Sequence, residues 1–240
     1  MKKRKIMGIF AHPDDDTFGP GGTFVRYSKA GHEVHILTAT AGQAGLAAGL
    51  SIQTTLGEHR EKELKNALSV MGVKYSRLLD FYDGTLNEHQ IPLLQHFILE
   101  EVQKFEPDVI ITYERSGISL HLDHIAVTKA VISLYDTGRI TVPKIYYFGL
   151  PREIMSYFGR EGGLGDERRA IIDINNFIDI KEKAMKAHAS QEKDWRMIIE
   201  RSAVIQKRKK KYAHHEYFQL ARTSLSDLKF PEDDLLAGIY

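Results

Sequence analysis

The 240-residue chain contains no cysteine, which limits both its covalent and its metal chemistry. A disulfide framework is excluded, and any metal site must be built from His, Asp or Glu. An excess of charge of one sign is also lacking, because 33 Lys and Arg residues face 32 Asp and Glu residues. The resulting net charge of +1 gives no reason to expect nucleic acid or an anionic membrane as a main partner.

Long apolar runs are missing as well. After the basic start, the apolar stretch at residues 6–10 is short, and no small-residue cleavage site of a secretory signal follows it. No run approaches the ~20 residues that a membrane-spanning helix needs. We therefore expect a cytoplasmic protein. Its length and its 42% hydrophobic content predict a single domain, residues 1–240, with one continuous core.

Short β-rich apolar runs alternate with longer segments of helical period over most of the chain. This alternation is typical of an α/β fold in which helices cover both faces of a mostly parallel sheet. The predicted strands are residues 6–11, 33–39, 78–81, 108–113, 144–148, 170–174 and 216–221. The predicted helices are residues 22–30, 58–71, 92–105, 123–135, 178–190 and 195–211. Residues 42–55 and 151–166 are predicted to be irregular, and a polar tail is predicted after residue 221.

Three consecutive carboxylates follow the first predicted strand, and His12 stands just before them. In open α/β sheets, ligands bind beyond the carboxyl ends of the strands. Asp14, Asp15 and Asp16 repel one another unless a cation or hydrogen-bond donors compensate. His12 with one or two Asp residues offers the N and O ligands that suit zinc, and a neighbouring Asp is left to act as a base. The alternative is that these acids only cap the next helix.

A second polar group follows the fourth predicted strand, where His121, Asp123 and His124 open a helix. If His121 and His124 both lie in the first helical turn, their rings share one face. Asp123 is a candidate for fixing the tautomer of one imidazole. Histidines at a helix start are about as often simply hydrogen-bonded or solvated. Joined to His12 and an Asp, however, this group predicts the three-ligand, open-position zinc site that hydrolysis requires.

With both groups in hand, the chain resembles the LmbE/PIG-L family of zinc-dependent N-acetylglucosaminyl deacetylases. The resemblance spans most of the chain. It is carried by residues 11–15 (Ala-His-Pro-Asp-Asp), residues 38–45 with Arg60 and Glu63, residues 121–124 (His-Leu-Asp-His) and, less specifically, residues 187–191 (Ala-His-Ala-Ser-Gln). The chain departs from the family at Asp16, where Glu is usual, and at Leu122, where Pro is frequent.

The resemblance implies a Rossmann-like fold with the site above the sheet. The implied roles are zinc ligands His12, Asp15 and His124, general base Asp14, and oxyanion stabiliser His121 oriented by Asp123. The implied reaction hydrolyses the acetamide of an N-acetylglucosamine-type conjugate and releases acetate and a free amino sugar. In this mechanism, His121 acts as an imidazolium. The resemblance further implies a homo-oligomer, a trimer or a hexamer.

Two further features have roles that the sequence leaves open. By resemblance, Arg60 could reach a substrate hydroxyl or carboxylate, but a surface arginine paired with Glu61 or Glu63 is equally compatible. His188 and Gln191 either approach the site or cap a helix end, and the sequence slightly favours the cap.

Three other functions compete with deacetylation. Clustered Asp and His residues also serve metal-dependent phosphoesterases, in which two ions lie about 4 Å apart. A non-catalytic sugar-binding module would keep the pocket without turnover. A nucleotide-binding dehydrogenase is the weakest alternative, because Phe24 occupies the place of the third glycine in the dinucleotide-binding motif.

Overall fold

The computed structural model describes residues 2–46, 55–212 and 214–240. Within them lie the strands β1 (Lys5–Phe10), β2 (Glu33–Thr40), β3 (Tyr75–Phe81), β4 (Val109–Tyr113), β5 (Lys144–Phe148), β6 (Arg169–Asp173) and β7 (His215–Thr223). The helices are α1 (Asp15–Phe18), α2 (Gly21–Lys29), α3 (Leu56–Met71), α4 (Ile91–Phe105), α5 (Gly117–Leu120), α6 (Leu122–Asp136), α7 (Arg152–Tyr157), α8 (Ile178–Lys186) and α9 (Glu192–Arg208). Most of the predicted loop at residues 42–55, namely residues 47–54, lies outside the described residues.

All seven strands belong to one sheet, in the order β3-β2-β1-β4-β5-β7-β6. The pairs from β3 to β5 are parallel, whereas β7 runs antiparallel to both β5 and β6. Every residue of β4 is buried, as is every residue of β1 after Lys5, because helices cover these central strands on both faces. The α/β prediction with a mostly parallel sheet is confirmed.

The helices form two layers, since α2, α3 and α8 contact one another and α4 contacts α6. The first crossovers lead from β1 outward to β3, and the later ones continue from β4 on the other side of β1. The strand order therefore reverses between β1 and β4. The crevice at the carboxyl ends of two such strands is the usual ligand site of this architecture, and both groups of polar residues follow these two strands.

Local sequence signals explain how the helix that carries Arg60 begins and ends. The hydroxyl of Thr55 accepts a hydrogen bond from the Glu58 N–H, and the Glu58 carboxylate accepts one from the Thr55 N–H, which makes a capping box. At the other end, Gly72 adopts the left-handed conformation with φ 75° that closes a helix. None of the helices in the described residues is long and apolar enough to cross a membrane.

The predicted helical ends differ from the observed ones in the last third of the chain. Helix α8 ends at Lys186 rather than at residue 190, and a separate turn at Ala189–Gln191 leads into α9, which begins at Glu192 and ends at Arg208. The segment predicted to be irregular contains the short helix α7. The apolar spacing simply continues across this turn, so it could not show where the backbone leaves the helix.

The prediction of a polar tail after residue 221 is wrong. Lys144 is fully buried in β5, and its Nζ lies 2.5 Å from Oε1 of Glu232. The Tyr146 hydroxyl donates to the other oxygen of the same carboxylate. Leu235 is also fully buried. A buried lysine requires a partner, and the tail supplies it by folding back over the sheet.

Candidate metal centre and active site

Two imidazole nitrogens and one carboxylate converge at the crevice between β1 and β4. Nδ1 of His12 lies 3.1 Å from Nε2 of His124. Of the two oxygens of Asp15, Oδ2 lies 3.4 Å from the His12 nitrogen and Oδ1 lies 3.4 Å from the His124 nitrogen. Zinc bonds of about 2.0–2.2 Å in a tetrahedron separate neighbouring ligand atoms by roughly 3.3–3.6 Å. The three observed distances are close to this range, so the residues fit one tetrahedral ion with a fourth position open.

Two carboxylates face the opposite nitrogen of His12. Its Nε2 lies 2.9 Å from Oδ1 of Asp83 and 3.2 Å from Oδ2 of Asp123. Asp123 is itself fixed, because it accepts hydrogen bonds from the N–H groups of Gly84 and Leu86. Carboxylates that hold the distal nitrogen of a metal-binding histidine fix its tautomer and raise its basicity. His12 is thereby prepared to use Nδ1 as a ligand.

A backbone carbonyl orients the ring of His124. Its Nδ1 donates to the carbonyl of Gly117 at 2.9 Å, which leaves Nε2 free to face His12 and Asp15. The carbonyl belongs to the turn at Gly117 and Ile118, where both residues have positive φ angles of 71° and 64°. Glu114 holds this turn by accepting a hydrogen bond from the Ile118 N–H. The strained backbone of this turn thus directs the Gly117 carbonyl toward Nδ1 of His124, and this hydrogen bond selects the tautomer of the ring.

Tyr113, the last residue of β4, connects the two halves of the cluster. Its hydroxyl donates to Oδ2 of Asp15 at 2.5 Å and accepts from the N–H of Ala11 at 2.6 Å. The phenol ring also stacks on His124, with centroids 4.0 Å apart and planes 4° apart. Tyr113 therefore fixes a carboxylate from the first group and an imidazole from the second.

Electrostatics also favour a cation at this position. Burial lowers the pKa of His12, but hydrogen bonds to Asp123, Asp15 and Asp83 outweigh it and raise the pKa to about 12. For Asp15, burial raises the pKa, but His124 and His12 outweigh burial and bring the pKa well below its usual value. The cluster thus strongly stabilises positive charge, which a divalent cation would supply.

Asp14 stands beside this centre in an unusual backbone conformation. Its φ of 133° lies outside the common regions for a residue with a side chain. It precedes α1, yet its side chain makes no capping hydrogen bond, so the interpretation of these acids as a simple helix cap is wrong for Asp14. Its carboxylate accepts instead from Nε2 of Gln191. Burial and the neighbouring Asp15 raise the pKa of Asp14 well above its usual value.

His121 lies at the rim of the cluster, with its ring centroid 4.7 Å from that of His12 and 4.9 Å from that of His124. Its Nδ1 accepts a hydrogen bond from the backbone N–H of Asp123, so the proton of the neutral ring is on Nε2. Burial and the nearby His12 and His124 lower its pKa. The Asp123 carboxylate, expected to orient His121, contacts His12 instead, and Asp123 meets His121 only through its backbone.

Arg60 is buried at 6% exposure and does not form the surface pair with Glu61 or Glu63. Its Nη1 donates to the carbonyl of Gly42 at 2.8 Å, and its Nη2 donates to that of Leu46 at 3.2 Å. A Cβ atom at Gly42 would lie 2.6 Å from Nη1, so a side chain at this position would displace the guanidinium from the loop. Arg60 thereby fixes the described start of the loop that follows β2.

Residues 188–191 approach the site, contrary to the slightly favoured interpretation as a helix cap. Ser190 donates to both oxygens of Glu63, from its backbone N–H at 2.7 Å and its hydroxyl at 2.6 Å. His188 is fully buried, and its Nε2 lies 3.3 Å from the hydroxyl of Thr17. Gln191 reaches Asp14 and makes no capping hydrogen bond to α9. This segment brings the second half of the chain to the centre.

Asp16, one of the two positions where the chain departs from the family, is fully buried behind the cluster. Its Oδ2 accepts from the Thr17 hydroxyl at 3.0 Å, while Oδ1 has no hydrogen-bond partner in the described part of the chain. Burial raises the pKa of Asp16 to about 7. The Asp16 side chain is too enclosed to cap a helix end at the surface. It packs behind the residues of the proposed metal centre.

Comparison with known proteins identifies the family. The sequence model of the PIG-L family, GlcNAc-PI de-N-acetylase, matches residues 7–135, which is more than half of the chain. The chain belongs to this family. The matched region contains every residue of the proposed metal centre and ends one residue before the end of α6, so the family resemblance inferred from the sequence is confirmed.

Two curated relatives match most of the chain. A probable N-acetyl-α-D-glucosaminyl L-malate deacetylase 2 of Bacillus cereus is 31% identical over 79% of this chain and 84% of its own length. A mycothiol S-conjugate amidase of Streptomyces coelicolor is 29% identical over 98% of this chain and 97% of its own length. The first name describes a deacetylase of an N-acetylglucosaminyl conjugate, and the second describes an amidase.

A solved structure supports the fold. The N,N'-diacetylchitobiose deacetylase of Pyrococcus horikoshii superposes with a TM-score of 0.70 at 20% sequence identity, over 90% of this chain and 83% of its own. At this identity, the likeness carries the architecture alone. It confirms the Rossmann-like arrangement expected from the sequence.

Proposed function

We propose that the protein is a zinc-dependent N-deacetylase that hydrolyses the acetamide of an N-acetylglucosamine-type conjugate and releases acetate and a free amino sugar. One observation carries this proposal. His12, Asp15 and His124 bring two imidazole nitrogens and a carboxylate together at separations of 3.1 to 3.4 Å, close to those of tetrahedral zinc ligands. The Asp14 carboxylate is held apart from them by its hydrogen bond from Gln191. Family membership and the names of the relatives support the same chemistry.

His12, Asp15 and His124 would hold zinc, which would supply a Lewis acid for the acetamide carbonyl and would lower the pKa of bound water to about 7. Asp14 acts as the general base that accepts the proton of the attacking water. Burial and the charge of Asp15 raise the pKa of its carboxyl group, which brings it closer to the operating pH at which proton transfer is efficient. The same Asp14 then delivers the proton to the leaving amine.

His121 stabilises the oxyanion as a neutral hydrogen-bond donor rather than as the imidazolium expected from the resemblance. Its Nδ1 is occupied by the N–H of Asp123, so Nε2 carries the proton that can be donated. The lowered pKa of His121 favours this neutral form. A donor fixed before the reaction stabilises developing negative charge without reorganisation. Because a neutral imidazole is a weak acid, proton delivery to the amine falls to Asp14.

Arg60 is proposed to support substrate binding. The guanidinium holds the carbonyls of Gly42 and Leu46 and lies near Asp14, whose pKa it lowers against the larger effects of burial and Asp15. A loop after a strand of such a sheet commonly carries specificity. We therefore assign Arg60 to shaping the part of the pocket that receives the sugar.

The geometry disfavours the two-metal phosphoesterase. A second acidic group, Asp83 with Asp123, does lie close enough to His12 to hold a cation. It uses the opposite nitrogen of the same imidazole, so two ions would be separated by roughly 6 Å, which exceeds the 3.5–4 Å of two-metal sites. Backbone N–H groups already occupy both of these carboxylates.

The test of the proposal is acetate release from a panel of N-acetylglucosamine conjugates: a malate glycoside, an inositol glycoside and chitin oligosaccharides. We expect release from at least one conjugate, loss of activity with a chelator and recovery with one equivalent of zinc. Hydrolysis of phosphate esters without acetate release would instead favour the phosphoesterase. Binding of the sugars without any turnover would favour the binding module.

We further propose a cytoplasmic location and a homo-oligomeric state, a trimer or a hexamer, which rests on the family resemblance. Fractionation of cells and light scattering of the purified protein test these two points. A monomer at micromolar concentration would contradict the second.

A further inference from the structure

Gln191 is the only residue among those described whose side chain makes a hydrogen bond to the Asp14 carboxylate. The two residues are 177 positions apart, and Gln191 is 5% exposed. The orientation of the amide follows from chemistry, because turning it would place Oε1 against a carboxylate oxygen. Nε2 therefore donates to Oδ2, and Oδ1 of Asp14 is left without a protein partner in the described residues.

The segment that carries Gln191 is itself firmly held. Ser190, its neighbour, makes two hydrogen bonds to Glu63, a residue of α3 that is 4% exposed. Nε2 of His188 lies within hydrogen-bond distance of the Thr17 hydroxyl, three positions beyond Asp14. The N–H of Gln191 donates to the His188 carbonyl at 3.0 Å, which closes the turn. The amide is thus placed by anchors to α3 and α1 rather than by α9 alone.

Asp14 needs such a partner because its own backbone does not restrain its side chain in a common way. Asp14 has φ of 133° and directly precedes α1, but its carboxylate accepts no hydrogen bond from the start of that helix. A carboxylate with both oxygens free would rotate among several positions. A hydrogen bond to one oxygen fixes the plane of the carboxylate and aims the other oxygen.

We propose that Gln191 is a positioning residue for the catalytic base: it holds Oδ2 of Asp14 so that Oδ1 faces the attacking water. This inference rests on the proposed function and assigns part of the active site to the region after residue 135, beyond the match to the family model. The contact gives a reason for the turn at residues 188–191, where the backbone leaves the helical conformation between α8 and α9.

The kinetic test compares Gln191→Met with Gln206→Met. The first keeps the shape of the side chain but cannot donate, and the second makes the same change on an exposed position of α9. For Gln191→Met we expect kcat to fall about 10- to 100-fold with KM changed less than about threefold and zinc content unchanged. Gln206→Met should match the wild type. An unchanged kcat in Gln191→Met would overturn the proposal.

A double-mutant cycle separates positioning from a structural role. In an Asp14→Ala background, Gln191→Met should cause no further loss of rate, because the group to be positioned is gone. An additional loss of the same size in that background would show that Gln191 acts on the fold instead. Gln191→Glu, which places a second carboxylate against Asp14, should lower kcat at least as much as Gln191→Met.

A measurement without turnover keeps this proposal separate from the proposed function. The side-chain amide of Gln191 can be assigned in a ¹⁵N spectrum by its absence from Gln191→Met. We expect its resonances to shift in Asp14→Ala and to stay in place in Asp80→Ala, an exposed aspartate. Unshifted resonances in Asp14→Ala would overturn the contact. If the Gln191 resonances shift in Asp14→Ala but the wild-type protein releases no acetate, the contact is confirmed and the proposed deacetylase function is wrong.

Discussion

His12 and His188 are buried histidines on two sides of the same acidic turn, and their surroundings are opposite. His12 faces Asp15, Asp83 and Asp123, and hydrogen bonds to them raise its pKa to about 12 despite burial. Among the described residues, the imidazole of His188 has only the Thr17 hydroxyl as a hydrogen-bond neighbour, and burial and Arg60 lower its pKa to about 3. Burial alone therefore does not determine the pKa of a histidine or its suitability as part of a cation site. The carboxylates determine which side of the turn attracts a cation.

The largest effect is expected when one histidine is removed from each side of the acidic turn, which tests the contrast between the two sides directly. His124→Ala on the acidic side should abolish zinc binding, because two ligands without a third hold the ion poorly. His188→Gln should keep the full zinc content. Elemental analysis after dialysis measures both. Equal zinc content in the two variants would refute the assignment of the acidic side as the metal centre.

Asp14→Asn tests whether the acid beside the centre performs proton transfer or binds metal. The amide cannot accept the proton of water, so we expect kcat to fall about 10²- to 10⁴-fold. Zinc content should stay at the wild-type level, since the ligand distances involve Asp15 and the two histidines. Loss of zinc in this variant would identify Asp14 as a ligand instead of a base.

Asp83→Asn sharpens the comparison by weakening one of the carboxylates that face His12. The variant keeps the shape but loses the charge, so we expect the Kd for zinc to rise about 10- to 100-fold. Asp123 still faces the same nitrogen, which places the effect toward the lower end. Competition with a chromogenic chelator measures the Kd. Asp80→Asn, an exposed change at the end of β3, serves as the control.

The smallest effect concerns His188 and the pH dependence of stability. Its pKa is about 3 in the folded protein, below the value of 6.5 of an exposed histidine, so the unfolded chain binds more protons between these two values. Its contribution therefore makes stability fall as the pH drops below about 6.5, by up to ~1.4 kcal/mol per pH unit.

His188→Gln should remove this contribution to the slope. Urea unfolding at about pH 5 and pH 7 measures it, with His89→Gln, an exposed position, as the matched control. Identical slopes in the wild type and in both variants would show that the surroundings of His188 do not hold it neutral.

Much of the fold could be predicted because its signals are local. Apolar runs placed all seven strands, and turns and caps placed α2, α3, α4 and α6 to within one or two residues at their ends. The short helices α1 and α5 were not predicted. The candidate site was found because His12, Asp14 and Asp15 lie within four consecutive residues and because parallel strands end at the same edge of a sheet. The family resemblance then supplied the expected ligand set. The antiparallel insertion of β7 between β5 and β6 has no local signal, since strand order is a long-range property.

The contacts of the other site residues could not be predicted for the same reason, and for Gln191 the sequence favoured a helix cap. Gln191 lies 177 positions from Asp14, and no spacing in the sequence relates them. Asp83 could have been found, because it follows β3 as His12 follows β1, and the two strands are separated only by β2. Tyr113 was noticed only as the end of a strand. Its two hydrogen bonds depend on how β1 and β4 are aligned.

At Asp14, the residue type that would give the most stable fold differs from the one that the proposed reaction requires. A glycine would adopt φ of 133° with little cost and would relieve the repulsion among three neighbouring acids. Asp14→Gly should therefore melt at a higher temperature than the wild type while losing its turnover. Libraries selected only for heat resistance would then tend to discard this aspartate, so thermal selection of this enzyme has to be paired with a screen for acetate.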